Sequence, residues 1–528
     1  LSYRLNFSPN YRWSNNYNFT RQDTRRKDNM TSGSKVNSNN FDWVLENIVS
    51  YKRDFGPNHS VDVTLLYGRN HSEYESTTAS ATQFSTDVLE FNNLGLGSIF
   101  TVASSASGSE GISSMARVNY QFMKRYMLTL TARRDGSSVF ATNEKWATFP
   151  SAALGWMISD EPFMKTISFI DILKLRLSYG SIGNQAIAPY QSLSLSTLQR
   201  YVFGDGGTSS LGFVKNTLGN DDLKWESTYT TNGAVDFSLF KQRISGTLEI
   251  YNSNTKDLLV SRTIPVMTGY TSILTNIGEV NNKGVELSLN WINLRANKFQ
   301  WNSSATYAYN INKIVHLFGT DLDKDGREDD VVANKWFIGY PIRSYYDYVF
   351  AGIYQEGDTD IPEGSTPGFV RVKDLNGDTK LNALDRTVVG SGTNPKHDFS
   401  IRNDISYGHF TLSFFVGGML GWDGIFNLIN PLVPGRALNE VDEGWWTAQN
   451  KSNTRPTLLY NNPLGTNWYV SRDFVRIKDA SISYEFDKSL LNKINLSSLR
   501  VYFSGKNIYT FTKYPGTDPE SASDYTSE

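Results

Sequence analysis

The sequence predicts an all-β fold: a large antiparallel transmembrane β-barrel with long extracellular loops, present here as a partial barrel over residues 1–528. Two patterns support this prediction. Apolar and polar residues alternate along most of the chain, and short and long connections alternate between these segments. Successive side chains of a strand point to opposite faces, so each segment has one apolar and one polar face. In a membrane barrel the apolar face meets lipid and the polar face lines a wet lumen.

The alternating segments are the predicted strands. In one of them Leu173, Leu175 and Leu177 interleave with Lys174 and Arg176. The same period of two is clear at residues 117–122, 285–291 and 499–504. Counting such segments gives about 16 to 18 strands. We expect strands outside this sequence to complete a closed barrel.

The connections between the predicted strands fall into two length classes. The short ones are hairpin-sized and lie at residues 124–125, 241–242 and 295–298. The long ones exceed the usual loop of about 4 to 6 residues and lie at residues 76–110, 181–223, 255–277, 312–394 and 421–469. We assign residues 312–394 and 421–469 as the two principal extracellular loop regions.

Composition narrows the function classes. The 51 basic and 53 acidic residues nearly balance, so no nucleic-acid partner is indicated. Cysteine is absent, which excludes disulfides and thiol catalysis. A mean hydropathy of -0.40 and the lack of long apolar runs exclude membrane-spanning helices, whereas barrel strands need only every second residue to be apolar. The aromatic content of 13% suits the girdles of a barrel in lipid, although aromatic residues also favour strands in general.

Five groups of motifs, in chain order, resemble those of SusC/RagA-like TonB-dependent outer-membrane transporters. They are residues 173–185, residues 223–226 with Arg243, Tyr251 and residues 255–259, residues 276–286, residues 474–479 and residues 499–520. The resemblance implies a barrel of about 22 strands with a plugged lumen. It also implies a place in the outer membrane of a Gram-negative bacterium. We expect the family's plug, TonB box and last strand to lie outside this sequence.

The implied function is active import of a bulky solute, which is an oligosaccharide or a peptide. The implied partners are a SusD-like surface lipoprotein, which forms a lid, and the TonB complex, which supplies the energy. The chain is then not an enzyme, and no paired carboxylates, phosphate-binding loop or nucleophile elbow stands in a suitable context. Two alternatives remain open: a passive porin-like channel, and a secreted soluble β-protein that binds glycans.

An acidic run in the first loop region predicts a calcium site. Oxygen side chains occupy positions 1, 3, 5, 9 and 12 of an EF-hand-like loop, and the seventh residue can offer its backbone carbonyl. The side chains are those of Asp374, Asn376, Asp378, Asn382 and Asp385, and the seventh residue is Lys380. Two departures are Thr379 at the sixth position, where glycine is usual, and an aspartate at the twelfth. The alternative is a solvated acidic turn without an ion.

A second acidic run repeats the pattern in part. Asp321, Asp323 and Asp325 occupy positions 1, 3 and 5, and Gly326 is at the sixth. Val332 stands where the twelfth ligand belongs, so another acidic residue has to replace it. The alternative is a charged loop tip.

Aromatic residues lie in or beside the predicted outer loops and are candidates for ligand or partner contact; they are Tyr345, Tyr346, Tyr348, Trp445 and Trp446. Their alternative role is packing within the loops or at the membrane interface.

Overall fold

The computed structural model describes residues 1–21, 31–203, 207, 209–322, 324–426, 444–516 and 518–521. Within these residues the chain forms 25 β-strands and one short α-helix, α1 (Lys488–Leu491), which confirms the all-β class. In this described part, no helix has both the length and the apolar character needed to cross a bilayer. The strands are β1 (Ser2–Thr20), β2 (Ser32–Phe55), β3 (His59–Thr82), β4 (Ile99–Phe122), β5 (Tyr126–Ser137), β6 (Trp146–Met157), β7 (Ile170–Asn184), β8 (Ser196–Val202), β9 (Ser209–Lys215), β10 (Glu226–Leu239), β11 (Ile244–Lys256), β12 (Leu259–Thr263), β13 (Ser272–Asn276), β14 (Glu279–Ala296), β15 (Phe299–His316), β16 (Tyr345–Tyr348), β17 (Phe350–Ile353), β18 (Val370–Val372), β19 (Arg386–Val389), β20 (His397–Tyr407), β21 (Phe410–Leu420), β22 (Asp423–Ile425), β23 (Tyr469–Ser471), β24 (Phe474–Glu485) and β25 (Arg500–Thr512).

Fifteen of the described strands form one large antiparallel sheet in the order β1-β2-β3-β4-β5-β6-β7-β10-β11-β14-β15-β20-β21-β24-β25. The other ten form five two-stranded sheets within the longer connections, and the pairs are β8–β9, β12–β13, β16–β19, β17–β18 and β22–β23. Neighbours in the large sheet are also neighbours in the chain once these small sheets are set aside. The sheet is therefore a simple up-and-down meander.

The chain divides into two compact units. The first comprises Leu1–Met157, Arg176–Thr231 and Asn254–Glu279, and the second comprises Ile158–Leu175, Asn232–Ser253 and Val280–Glu528. Within each unit, most connections at one end of the strands are tight turns, and the connections at the other end are longer. The exceptions at the first end are residues 158–169, between β6 and β7, and residues 486–499, between β24 and β25, which contain α1. We refer to the two ends as the turn end and the loop end. The three short connections predicted from the sequence are all confirmed as tight turns.

The connection predicted over residues 76–110 is shorter than expected. β3 continues to Thr82 and β4 begins at Ile99, and each of these strands is 24 residues long. Backbone pairing runs without a break from His59 opposite Phe122 to Thr82 opposite Ile99. Most residues of this stretch are small or polar on both faces and do not alternate with apolar ones. The sequence pattern therefore does not reveal that both strands continue here, held by backbone hydrogen bonds.

The strand register of the first unit separates the two faces of its sheet. One row across β2 to β6 is apolar and consists of Tyr51, Val63, Val118, Leu130 and Ala152. The adjacent row lies on the opposite face, because neighbouring strand residues alternate between faces, and it is polar; it consists of Ser50, Thr64, Arg117, Thr131 and Ser151. The alternation in the sequence therefore becomes one apolar wall and one polar wall.

The apolar wall is not covered by a second sheet within the described residues. Leu65, Leu130 and Leu154 are 47–56% exposed. Full burial of Leu175 and Leu287 between two packed sheets would contradict a membrane barrel. Both side chains are only half-buried. The buried side chains cluster instead where connections pack, as in the first unit, where Phe140 and Trp225 from connections form a core with Phe149 of β6. A soluble sandwich, which buries its apolar strand faces in a shared core, does not match this distribution.

Candidate functional site

Two long connections of the second unit pack into one hydrophobic cluster at the loop end. The connection between β15 and β20 contains β16 to β19, and the connection between β21 and β24 contains β22 and β23. Together they form the loop cluster, whose buried side chains are Tyr348, Ile353, Val370, Val372, Trp446 and Tyr460. These residues come from both predicted loop regions, 312–394 and 421–469. The described parts of the two regions therefore pack against each other rather than forming two independent loops.

Hydrogen bonds fasten the two connections to each other. The indole nitrogen of Trp446 donates to Gln355 Oε1 at 2.9 Å, and the backbone N–H of Ile353 donates to Asn453 Oδ1 at 3.0 Å. Gln355 Nε2 in turn donates to the carbonyl oxygen of Ser452 at 3.0 Å. Each hydrogen bond gives a partner to a polar group that would lower the stability of the fold if it were buried without one.

A buried carboxylate organises the centre of this contact. Asp347 is 3% exposed, and its Oδ2 accepts from the backbone N–H of Asn467 at 3.1 Å, from Asn467 Nδ2 at 2.8 Å and from the Tyr469 hydroxyl at 2.8 Å. Its Oδ1 accepts from the backbone N–H of Tyr348 at 2.8 Å. Burial raises the pKa of Tyr469, and the hydrogen bond to Asp347 raises it further because a phenolate cannot donate.

The aromatic residues singled out in the sequence lie in or beside the loop cluster. Tyr348 and Trp446 are buried in its core. Tyr345 packs against Tyr469 with ring centroids 4.8 Å apart, and Tyr346 stacks on Phe337 at 4.7 Å. Tyr345, Tyr346 and Trp445 keep part of their surface exposed, so these three remain available for the predicted contact with a ligand or partner. That contact stays a prediction.

The acidic run at residues 374–385 folds into a tight loop around its own backbone. Asp374 accepts from the N–H groups of Gly377 at 2.6 Å and Thr379 at 2.8 Å. Asp385 is fully buried and accepts from the N–H groups of Leu375 at 3.0 Å and Asn382 at 2.8 Å. These backbone donors, that of Asn382 foremost, hold the pKa of Asp385 below its ordinary value.

The two acidic runs share a backbone shape. In the first loop the fourth and sixth positions, Gly377 and Thr379, have φ of 74° and 67°. In the second the same positions, Lys324 and Gly326, have φ of 60° and 83°. Asp321 there accepts from the N–H groups of Asp325 and Gly326, each at 3.1 Å. The residue at the third position, Asp323, lies outside the described residues.

The oxygen-rich donor set of these loops suits a hard cation such as calcium. In the part of the chain that the structure describes, no three acidic or histidine side chains converge as a group able to hold a metal ion. Each carboxylate oxygen that accepts one backbone N–H retains a second acceptor site. Calcium binding by Asp374, Asn376, Asp378, Lys380 and Asp385, or by Asp321, Asp323 and Asp325, stays a prediction.

The sequence patterns missed the residues that hold the loop cluster together, namely Asp347, Gln355, Asn453, Asn467 and Tyr469. One signal for Asp347 was present, because it interrupts the aromatic run Tyr345 to Tyr348. A carboxylate within such a run is buried only if donors surround it. Three of its four donors, from Asn467 and Tyr469, lie about 120 residues away and cannot be read from local sequence.

Comparison with known proteins agrees with this architecture. Residues 1–508 match the family described as "TonB dependent receptor-like, beta-barrel". The chain is 34% identical over 497 residues to a TonB-dependent receptor of Formosa agariphila, covering 92% of this chain and 49% of that protein. It is 31% identical over 437 residues to the TonB-dependent receptor SusC of Bacteroides thetaiotaomicron, covering 78% of this chain and 41% of that protein.

Solved structures show the same fold. The RagAB peptide importer in its open-open state superposes with a TM-score of 0.78 at 25% identity, covering 99% of this chain and 57% of that one. Another structure, of the RagAB peptide transporter, gives a TM-score of 0.77 at 23% identity and covers 98% of this chain and 57% of that one. The chain spans about half the length of the curated relatives it matches. It belongs to the TonB-dependent receptor β-barrel family and is an outer-membrane protein of a Gram-negative bacterium.

Proposed function

We propose that the full-length protein imports a bulky solute, an oligosaccharide or a peptide, across the outer membrane in a TonB-dependent reaction. The observation that carries the proposal is the family match over residues 1–508. Relatives of this chain are receptors and transporters, which supports a role without catalysis. In this reaction the chain contributes the sheet wall and the loop cluster.

A SusD-like surface lipoprotein is the proposed lid, and residues 312–394 and 421–469 are the proposed extracellular surface beneath it. SusC and RagAB among the similar proteins support this partner. The loop cluster offers a firm base for such a contact because its core is packed and hydrogen-bonded. The partly exposed rings of Tyr345, Tyr346 and Trp445 are the proposed contact residues, since aromatic side chains commonly anchor protein interfaces.

The test of import is solute uptake by cells that express the full-length protein, with and without a proton gradient across the inner membrane. Active import predicts that uptake collapses when an uncoupler removes the gradient. Undiminished uptake without the gradient would favour a passive porin-like channel instead.

The test of the lid is purification of the complex from native membranes. The proposal predicts that a lipoprotein accompanies the wild-type protein and that Trp445→Ala weakens this association. Lys298→Ala is the control, because Lys298 is an exposed residue of the tight turn between β14 and β15, at the opposite end of the strands from both loop regions. Purification without any lipoprotein would contradict the lid.

A further inference from the structure

The strand β4 continues well beyond its neighbour β5 at the loop end. β4 is 24 residues long, whereas β5 and β6 are 12 residues each. Pairing between β4 and β5 stops at Gly111, which lies opposite Ser137. A strand needs only about 9–11 residues to cross a bilayer, so this extension of β4 projects beyond the membrane. Its residues pair with β3 on one side, and in the described part of the chain no strand pairs with residues 99–107 on the other. We call this side of residues 99–107 the open edge.

The backbone groups of the even-numbered residues point to the open edge. Glu110 shows this direction, because its N–H donates to Ser138 Oγ at 2.9 Å and its carbonyl oxygen accepts from the N–H of Ser138 at 2.9 Å. Backbone groups alternate between the two sides of an antiparallel strand. The N–H of Gly108 follows the rule and donates to the Tyr190 hydroxyl at 3.2 Å. Farther along β4, the residues that each present one N–H and one C=O group to this side are Phe100, Val102, Ser104 and Ala106.

The open edge is accessible and carries none of the usual protection. Every residue from Ile99 to Ala106 is exposed. Residues 99–109 contain no charged residue and no proline, and their register with β3 has no bulge. Charges, prolines and bulges are the means by which natural sheets prevent a further strand from adding to an edge. A strand can therefore add to β4 here.

The open edge faces along the sheet and not into the lumen. Backbone hydrogen bonds of a strand lie in the plane of the sheet, whereas its side chains point to the two faces. Strands that extend the large sheet join it at β1 or β25, which are its two ends, and β4 lies three strands inward from β1. Two copies of the protein in one membrane share their orientation, so a second copy cannot place its own β4 antiparallel to this edge.

We propose that the open edge binds an imported peptide in an extended conformation, as an added β-strand. The inference rests on the proposed import function and narrows its substrate class to peptides. In strand addition, backbone hydrogen bonds supply the affinity and pockets for alternate side chains supply the specificity. Residues 103–109 are all alanine, serine or glycine, and side chains of this size form no such pockets. The site therefore recognises the peptide backbone and accepts different peptide sequences, whereas an oligosaccharide has no amide groups in this repeat.

The test is binding of a heptapeptide to the full-length protein, followed by calorimetry and by hydrogen exchange. The peptide alternates threonine and valine and is acetylated and amidated at its ends. Its matched control is the same peptide with methyl groups on two adjacent central amide nitrogens, so that neither of its edges can pair in full. We expect the heptapeptide to bind and to slow exchange at the amides of Val102, Ser104 and Ala106. The methylated peptide and maltoheptaose should leave these amides unchanged.

A variant of β4 tests the same contact from the side of the protein. Ser104→Pro removes one N–H group from the open edge and should weaken peptide binding about 10-fold. The amides of Ala103 and Ser105 face β3, so their slow exchange in this variant shows that the strand is still formed. Ser104→Thr is the matched control, because it keeps the N–H group and should keep the affinity.

Three results would overturn the inference. Slow exchange at residues 100–106 of the full-length protein before peptide is added would show that another part of the protein, or a lipoprotein, already occupies the edge. Equal binding of the parent and methylated peptides would exclude strand addition, as would unchanged affinity in Ser104→Pro. Gradient-dependent uptake of an oligosaccharide would still stand in each case, so the two proposals fail separately.

Discussion

Asp347 Oδ2 accepts a hydrogen bond from the Tyr469 hydroxyl at 2.8 Å, joining residues 122 positions apart in the chain. The bond links β16 to β23, the two connections that form the loop cluster. Asp347→Ala would remove the buried acceptor that this hydroxyl and the Asn467 donors share. We expect a loss of about 2–4 kcal/mol of local stability.

Hydrogen exchange in residues 345–389 and 466–471 measures this loss, with Glu363→Ala as the exposed control expected to change stability by less than about 0.5 kcal/mol. Tyr469→Phe removes one bond only and should cost about 1 kcal/mol. Unchanged protection in Asp347→Ala would show that the buried carboxylate does not hold the cluster together.

Calcium binding is tested by titration of the full-length protein with calcium and with terbium as a luminescent substitute. The prediction is one ion at residues 374–385, lost in Asp374→Ala combined with Asp378→Ala, because these carboxylates supply the first and fifth ligands. Chelation should raise the exchange rates of this loop. A wild-type protein that binds no calcium at millimolar concentration would leave the loop a solvated acidic turn.

The second acidic loop is an internal comparison for the same titration. The double variant Asp321→Ala/Asp325→Ala should abolish calcium binding at the second acidic loop and leave calcium binding at residues 374–385 intact. A single event that both double variants weaken would contradict two independent sites.

The lowered pKa of Asp385 makes the first loop sensitive to acid. The folded loop favours the charged carboxylate, so its contribution to stability is present above the ordinary pKa of 3.8 and is lost as the pH falls through the lower folded value. We expect the amides of Leu375 and Asn382 to lose protection below that pH, after correction for intrinsic exchange. Asp385→Asn should remove this dependence, and a wild-type loop equally protected at pH 2 and pH 7 would contradict it.

Thr379 adopts a φ of 67°, a region that penalises residues with a Cβ atom and especially β-branched ones. Thr379→Gly should therefore stabilise the loop by about 1 kcal/mol. Thr379→Ala keeps a Cβ atom and serves as the matched control. Thermal unfolding of the loop, followed by hydrogen exchange, distinguishes the two. A destabilised glycine variant would show that the threonine side chain has a contact that outweighs the strain.

The two walls of the sheet predict opposite responses to a charge. Leu287 and Ser288 are neighbours on β14 and therefore face opposite sides. Leu287→Arg near the middle of the membrane should cost about 2–4 kcal/mol, whereas Ser288→Arg on the wet side should cost far less. Equilibrium unfolding in lipid bilayers measures both. Equal costs would contradict the assignment of a lipid face.

The alternation of apolar and polar residues determined the class of fold, the paths of most strands and the positions of the tight turns. This is possible because side-chain direction along a strand is a local property with a period of two. The alternation is weak at residues 76–82 and 99–110, because small and polar residues occupy most positions on both faces there. Backbone hydrogen bonds nevertheless pair these two stretches as strands.

Only the tertiary structure decided which distant residues meet. The donors to Asp347 depend on the folding of long connections, and the partner that each strand residue faces, such as Thr131 opposite Arg117, depends on strand register. Neither leaves a periodic trace in the sequence. The aromatic residues illustrate the same division. Their position in the loops was evident from the sequence. Packing between two loops about 100 residues apart decided that Tyr348 and Trp446 are buried, whereas Tyr345 and Trp445 stay partly exposed.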